Sequence, residues 1–353
     1  MNSLRRGYLD WLRGVSVLIM IEAHTLDAWT RLDARHNATY GWAMIVGGFA
    51  APAFLFLAGI ALALAAGSRL RRGKTSQEVA ALARRRALQI FGLAFLFRLQ
   101  SWVISGGDPV QGLLKVDILN IMGLSMLAAA LLWGAGKGRW DRAVWMLAAT
   151  VAVAMVTPII RATPMLSPLP DPIEWYIRPI PGRGTFTLFP WAGFLLAGAA
   201  IGIWLDTAKT APAERRVNLA LAAIGLALTA GGYAASFLPA IYAESSFWTT
   251  SPTFFFLRLG VLVVSLPVAY AWNALWTGRS VLQEFGHASL FVYWIHVELA
   301  YGVLSGPIHK TLTLGQALAA YAVFAVALFG AAKLKDHVVD WWNTGRLQPT
   351  GAL

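Results

Sequence analysis

Long apolar runs separated by short basic segments dominate the chain, and ten of them have the length and continuity of bilayer-crossing helices. They predict helices at approximately 12–30, 41–66, 87–105, 115–134, 143–160, 187–205, 217–238, 252–275, 287–306 and 315–333. The expected fold is an all-α, polytopic membrane helical bundle forming one domain over residues 1–353. Two connections are long. The segment 67–86 is basic and reads as solvated, whereas 161–186, "RATPMLSPLPDPIEWYIRPIPGRGTF", holds six prolines and cannot be a continuous helix. A long ordered loop beside a bundle commonly covers a site.

The basic residues predict an orientation. With a cytoplasmic N-terminus, the inner segments carry 19 lysines and arginines, from Arg5 and Arg6 through Arg279 to Lys333, Lys335 and Arg346. The outer segments carry six: Arg31, Arg35, Arg161, Arg178, Arg183 and Lys310. An even number of spans then places both termini in the cytoplasm. This topology accounts for the net charge of +12 without a nucleic-acid partner. Only 13% of residues are charged and 58% are hydrophobic, where soluble domains carry roughly a quarter charged residues. The bilayer is therefore the expected surrounding. The absence of cysteine excludes disulfides, thiolate metal sites and a cysteine nucleophile. The first helix is a poor signal peptide, because its unbroken apolar core is short and no small-residue cleavage site follows.

The other four basic residues, Arg13, Arg98, Lys115 and Arg258, fall inside predicted helices. An ionisable group near mid-bilayer costs roughly 2.5–3.5 kcal/mol on insertion scales, so it normally faces a partner or a wet cavity. In "YLDWLRGVSVLIMIEAHTLDAW" the helical period sets Asp10, Arg13, His24 and Asp27 at about 0°, 300°, 320° and 260°, on one face. Glu22, at about 120°, faces elsewhere. Arg13 and His24 lie about 16 Å apart along the axis. Asp117, Asn120, His296 and Glu298 are further polar residues within helices. With Arg98 and Arg258 they fall in the outer half under this topology, which predicts a hydrated cavity open to the outside. Arg98 with Asp117, or Arg258 with Glu298, are alternatively structural ion pairs, and Asp10 with Arg13 an interfacial anchor.

Six histidines, at 24, 36, 287, 296, 309 and 337, have no metal-ligand spacing, so no metal is expected. Histidine can take a proton near neutral pH, a carboxylate can orient it, and arginine can hold oxyanion charge. That set suits acyl transfer, and it also suits proton-coupled transport.

The segment "LDWLRGVSVLIMIEAH" resembles the first helix of the transmembrane acyltransferase superfamily, in which an arginine and a histidine are ten residues apart, as Arg13 and His24 are. "HTLDAW … FAAPAFLFLAGIALALA", "VDILNIMGL", "LFPWAGFLLAGAAIG" and "FGHASLFVYWIH", in that order, are similar to bacterial relatives of the lysosomal heparan-α-glucosaminide N-acetyltransferase. The resemblance spans about 5–305. It implies a bundle of ten or eleven helices, with acetyl-CoA or another acyl-CoA entering from the cytoplasm. It also implies a sugar amine or hydroxyl acceptor on the opposite side, and a multi-pass protein of the bacterial inner membrane. One departure stands out. In the heparan enzyme the position matching His24 is asparagine, and the histidine lies shortly beyond the first helix, where His36 in "TRLDARHNATYGW" is the nearest match.

The leading expectation is an integral-membrane acyltransferase acting on a carbohydrate or envelope-glycan acceptor. His24 or His36, oriented by Asp27 or a nearby carboxylate, would act as base or transient acyl carrier. Arg13 and Asp10 would serve the donor, and Arg98, Asp117, Asn120, Arg258 and His296 the acceptor. The alternative is a proton-coupled transporter of a small anion or sugar, against which stands the lack of an inverted repeat. The sequence leaves a homodimer open.

Overall fold

The computed structural model describes residues 6–104, 110–166, 168–184, 186–276, 278 and 280–346. Arg5 and Arg279 of the topological count lie outside them. Every regular element among the described residues is helical. The α-helices are α1 (Gly7–Trp29), α2 (Ala38–Gly47), α3 (Ala50–Arg71), α4 (Ser76–Ile104), α5 (Ile118–Ala135), α6 (Arg139–Ala162), α7 (Asp171–Glu174), α8 (Leu188–Leu205), α9 (Ala211–Ala235), α10 (Pro252–Leu275), α11 (Val281–His287), α12 (Ser289–Tyr301) and α13 (Leu314–Arg346).

Among the described residues, eight stretches are long and apolar enough to cross a membrane: Ala38–Arg71, α4, α5, α6, α8, α9, α10 and Leu314–Asn343. The protein is a polytopic helical membrane protein. Two predicted helices are divided. The run expected at 41–66 breaks after Gly47, where Gly48 and Phe49 form a turn. A glycine pair is a common place for a helix to bend. The run expected at 287–306 is split among α11, α12 and a 3-10 helix at Val303–Ile308, because Gly302 leaves helical geometry and Pro307 follows.

The chain falls into two compact units, Met1–Leu9 with Ala51–Thr277, and Asp10–Ala50 with Gly278–Leu353. In the first, α4 packs on α5, α5 and α6 on α8, and α9 on α10. Lipid offers helices no hydrophobic drive to associate, so small residues that admit backbone contact take that role. A Cβ on Gly59 would lie 2.0 Å from the Leu195 carbonyl oxygen, and one on Gly198 would lie 2.0 Å from that of Phe56, so α3 and α8 touch backbone to backbone. The Arg6 guanidinium closes one end of this unit. It donates to Glu214 at 2.6 Å and to the carbonyls of Leu205 and Ala208, while Tyr8 donates to the same carboxylate at 3.0 Å.

In the second unit, α1 meets α11 at two glycines. A Cβ on Gly14 would stand 1.8 Å from the Leu282 carbonyl oxygen, and one on Gly286 would stand 1.9 Å from that of Asp10. The far end of α1 is tied by backbone bonds from Lys310 to Ala28 and from Leu312 to Trp29, and by the Trp29 indole donating to the Ala300 carbonyl at 2.9 Å. Asn37 caps α2 by accepting from the Tyr40 amide at 2.8 Å, and Leu26, Tyr40 and Ala317 form a buried cluster.

Gly286→Ala must push α1 and α11 apart, because the clashing atom is backbone. The expected loss is about 1–3 kcal/mol of stability, the ordinary cost of overpacking. Thermal unfolding in detergent, read by intrinsic fluorescence, checks it against Gly315→Ala, where an added Cβ meets nothing within 4 Å. Equal midpoints for the two variants would refute the tight contact.

Candidate functional site

The polar stripe on α1 forms two clusters, both within the second unit. Near its N-terminal end, Asp10 accepts from Arg13 at 2.9 Å and faces the His287 ring nitrogen Nε2 at 3.1 Å. The helical i,i+3 spacing brings the first pair together. The close approach at Gly286 delivers His287. The 26% exposure of the Arg13 side chain leaves part of it open.

Eleven residues further along α1, His24 meets His296 of α12. Their Nδ1 and Nε2 atoms are 2.8 Å apart, and the rings are coplanar within 2°. His296 is completely buried, and its Nδ1 lies 2.9 Å from the Val292 carbonyl. A carbonyl only accepts, so His296 Nδ1 carries the hydrogen. In the neutral ring Nε2 is then the acceptor, and His24 Nδ1 must donate to it. The tautomer of neutral His24 follows: its Nε2 carries the basic lone pair. Tyr301 packs edge-on against the His24 ring, with centroids 5.6 Å apart.

Asp27 is one helical turn beyond His24. Its carboxylate accepts from the Tyr301 hydroxyl at 2.9 Å and from Arg35 at 3.4 Å, and Arg35 also donates to the Asp27 and Thr30 carbonyls. The ring that hydrogen-bonds His24 is thus His296, and Asp27 reaches the same neighbourhood through Tyr301. His36 ends the exposed 3-10 helix Leu32–His36, which has no buried residue. Glu22 lies off the stripe and is partly buried. Glu298 has a buried Oε1 without a hydrogen-bond partner among the described residues.

In the first unit, Arg98 and Asp117 form the ion pair that their spacing allowed, at 2.7 Å. Asn120 accepts from the Asp117 amide at 2.8 Å, and its amide donates to the Tyr176 hydroxyl at 3.2 Å. The proline-rich segment is accordingly ordered on α5. The Arg183 carbonyl accepts from the Val116 amide at 3.0 Å, and Trp175 packs with Val116 and Ile121. Burial raises the Tyr176 phenol above its ordinary pKa, and the Asn120 bond opposes that shift. Arg258 stacks over Phe254, its guanidinium carbon 4.2 Å from the ring centroid.

Neither spacing nor composition singles out Tyr301, Tyr176 or His287, which join these clusters. Arg35 and Arg161 appeared there only as outer charges. The described residues contain no group of three or more His, Asp or Glu side chains able to hold a metal.

A family model described as heparan-alpha-glucosaminide N-acetyltransferase, catalytic, matches residues 5–228, well over half of the chain. The match includes His24, Asp27, His36 and the Arg98–Asp117–Asn120 group, and it ends before Arg258 and His296. No curated protein matches.

Nitrogen-15 NMR of histidine-labelled protein reads the tautomers directly. In their neutral forms both His24 and His296 are expected to carry hydrogen on Nδ1 and none on Nε2, and a hydrogen on neutral His296 Nε2 would rule out this arrangement.

Proposed function

We propose, from the premise that the chain belongs to the heparan-alpha-glucosaminide N-acetyltransferase catalytic family, that it transfers an acetyl or short acyl group from cytoplasmic acyl-CoA. The acceptor is a sugar amine or hydroxyl, or an envelope glycan, at the outer face. The observation that carries this reading is the His24–His296 pair. A base must present a lone pair of fixed direction, and the buried ring behind His24 fixes it. His24 Nε2 takes the proton as the acceptor nitrogen or oxygen attacks the thioester carbonyl. The C–S bond then breaks, and the proton passes from His24 to the departing thiolate.

A positively charged His24 needs compensation in a low-dielectric setting. The bare Nε2 of His296 accepts the strengthened hydrogen bond, and the Asp27 carboxylate lies one turn away beside Tyr301. Arg13, anchored by Asp10, is offered to the donor phosphates, since a partly exposed guanidinium suits a polyanion. His36, exposed and on a 3-10 turn, is the weaker base candidate. Arg98, Asp117 and Asn120 act by holding the 168–184 segment in place through Tyr176.

The basic loops support a cytoplasmic N-terminus with ten membrane crossings, in which α1 and the α11–α12 segment join the eight long apolar stretches. The placement fits a bacterial inner membrane. Because the chain has no cysteine, single cysteines at Lys74 and Thr39 test it with a membrane-impermeant maleimide. Thr39 is expected to label from outside intact cells and Lys74 only after lysis, and the reverse pattern would invert the topology.

Catalysis is tested with radiolabelled acetyl-CoA, protein in lipid nanodiscs, and a pool of amino sugars and envelope glycans. His24→Ala should lose about 100-fold or more in transfer, the usual scale for a positioned base, while donor binding persists. His296→Ala should lose about 10-fold or more through the freed tautomer, and His36→Ala should stay near wild type. Label retained on the wild-type protein would make His24 an acyl carrier instead of a base. Saturable donor binding with full transfer in His24→Ala would defeat the assignment, and no binding of any acyl-CoA would favour proton-coupled transport.

A further inference from the structure

Within the first unit, a cavity of about 130 Å³ lies where α6 ends and α8 and α10 begin. Among the described residues, two arginines, Arg161 and Arg258, contribute to its wall, and no carboxylate does. Arg161 donates to the Thr187 hydroxyl and, at 3.5 Å, to the Thr249 carbonyl. Its Nε is buried with no hydrogen-bond partner among the described residues. A buried donor of a cation that lacks a partner is costly in a folded protein, so it commonly marks a place where a ligand or ion binds. Arg258 lies over Phe254, its guanidinium carbon 4.2 Å from the ring centroid, a cation–π contact that helps hold the side chain at the wall. Trp191, Trp248 and Ser251 complete the part of the wall that matters here, two aromatic faces and a hydroxyl.

We propose that this cavity binds the oxyanion of a ligand, a carboxylate, sulfate or phosphate monoester, between Arg161 and Arg258, with the flat body carrying it laid against Trp191 and Trp248. Two guanidiniums facing one small space repel each other when it is empty. A single anion between them relieves that repulsion and supplies the acceptor that Arg161 Nε lacks. The volume accommodates an anionic group with part of one ring. A neutral sugar fills the space but brings no negative charge to the acceptor position beside Arg161 Nε. The inference concerns binding at this cavity alone and does not depend on acyl transfer.

The anion has two chemical sources, a water-soluble acidic sugar and an anionic lipid headgroup, and one experiment separates them. Full-length protein in nanodiscs of phosphatidylcholine is titrated by calorimetry with glucuronate, glucose 6-phosphate and, as neutral control, glucose. A parallel preparation contains phosphatidylglycerol, with bound lipid read by native mass spectrometry. Arg161→Gln and Arg258→Gln are each expected to weaken the anion about tenfold or more, since each removes a charge-assisted bond. Arg161→Lys keeps the charge and should lose less. Trp248→Ala, at a side chain already 55% exposed and so safe for folding, should weaken a sugar-borne anion severalfold. Glucuronate or the phosphate sugar binding, with glucose silent, supports the site with a soluble source. Phosphatidylglycerol retained by wild type and lost in the variants supports it with a lipid source. Absence of both, or binding unchanged in Arg161→Gln and Arg258→Gln variants that elute as monodisperse protein, overturns it.

Discussion

Within the second unit, the contact between α1 and α11 is the constraint on which the polar groups depend. Side chains normally hold helix axes 8–10 Å apart. Where Gly14 meets the Leu282 carbonyl and Gly286 meets that of Asp10, there is no room for even one Cβ. Two such contacts fix the sliding and rotation of α1 against α11. The chain passes from α11 through Ala288 into α12, so the same register carries His296 to the level of His24. It also sets His287 beside Asp10. A hydrogen bond of 2.8 Å between two rings tolerates little slippage. Backbone contact, which cannot relax by rotamer change, is a suitable way to hold it.

Each unit meets the cost of polar groups in apolar surroundings through short networks. Arg98–Asp117 is a direct ion pair continued by Asn120 into Tyr176. Glu214 receives both Arg6 and Tyr8. Asp27 receives Tyr301 and Arg35. Such pairs add little net stability, because desolvation consumes much of the attraction, yet breaking one leaves a charge uncompensated. Their value lies in placement. Asn120 holds the Tyr176 segment on α5, which turns a proline-rich stretch with little helix of its own into an ordered one.

Much of the architecture was legible in the sequence. Apolar runs of about 20 residues located the helices because lipid demands that length whatever the tertiary contacts. The α1 stripe was legible for the same reason, since the helical period fixes which side chains share a face. The breaks after Gly47 and at Gly302 were less visible: glycine is frequent in membrane helices, and most glycines there serve close packing. Arg98 and Asp117 could be matched as opposite charges on neighbouring helices. His24 and His296 could not, because 272 residues separate them and neutral rings carry no charge complement to suggest a partner. Asp27 was expected to orient His24 because carboxylate–histidine couples are common. The structure instead gives that carboxylate to Tyr301 and Arg35.

That division has a physical logic. A carboxylate hydrogen-bonded directly to His24 would bring a formal charge beside an imidazole in a setting where an isolated charge is expensive. It would raise the basicity of His24 and favour the protonated ring, which has no lone pair to offer. A neutral, fully buried His296 orients the ring without adding charge. Its own tautomer is fixed by a backbone carbonyl, a group no side-chain titration can remove. Asp27 is already countered by Arg35 and joins the neighbourhood of His24 through Tyr301. The pair therefore fixes the direction in which His24 presents its lone pair, while leaving an acceptor in place for the moment its ring becomes charged.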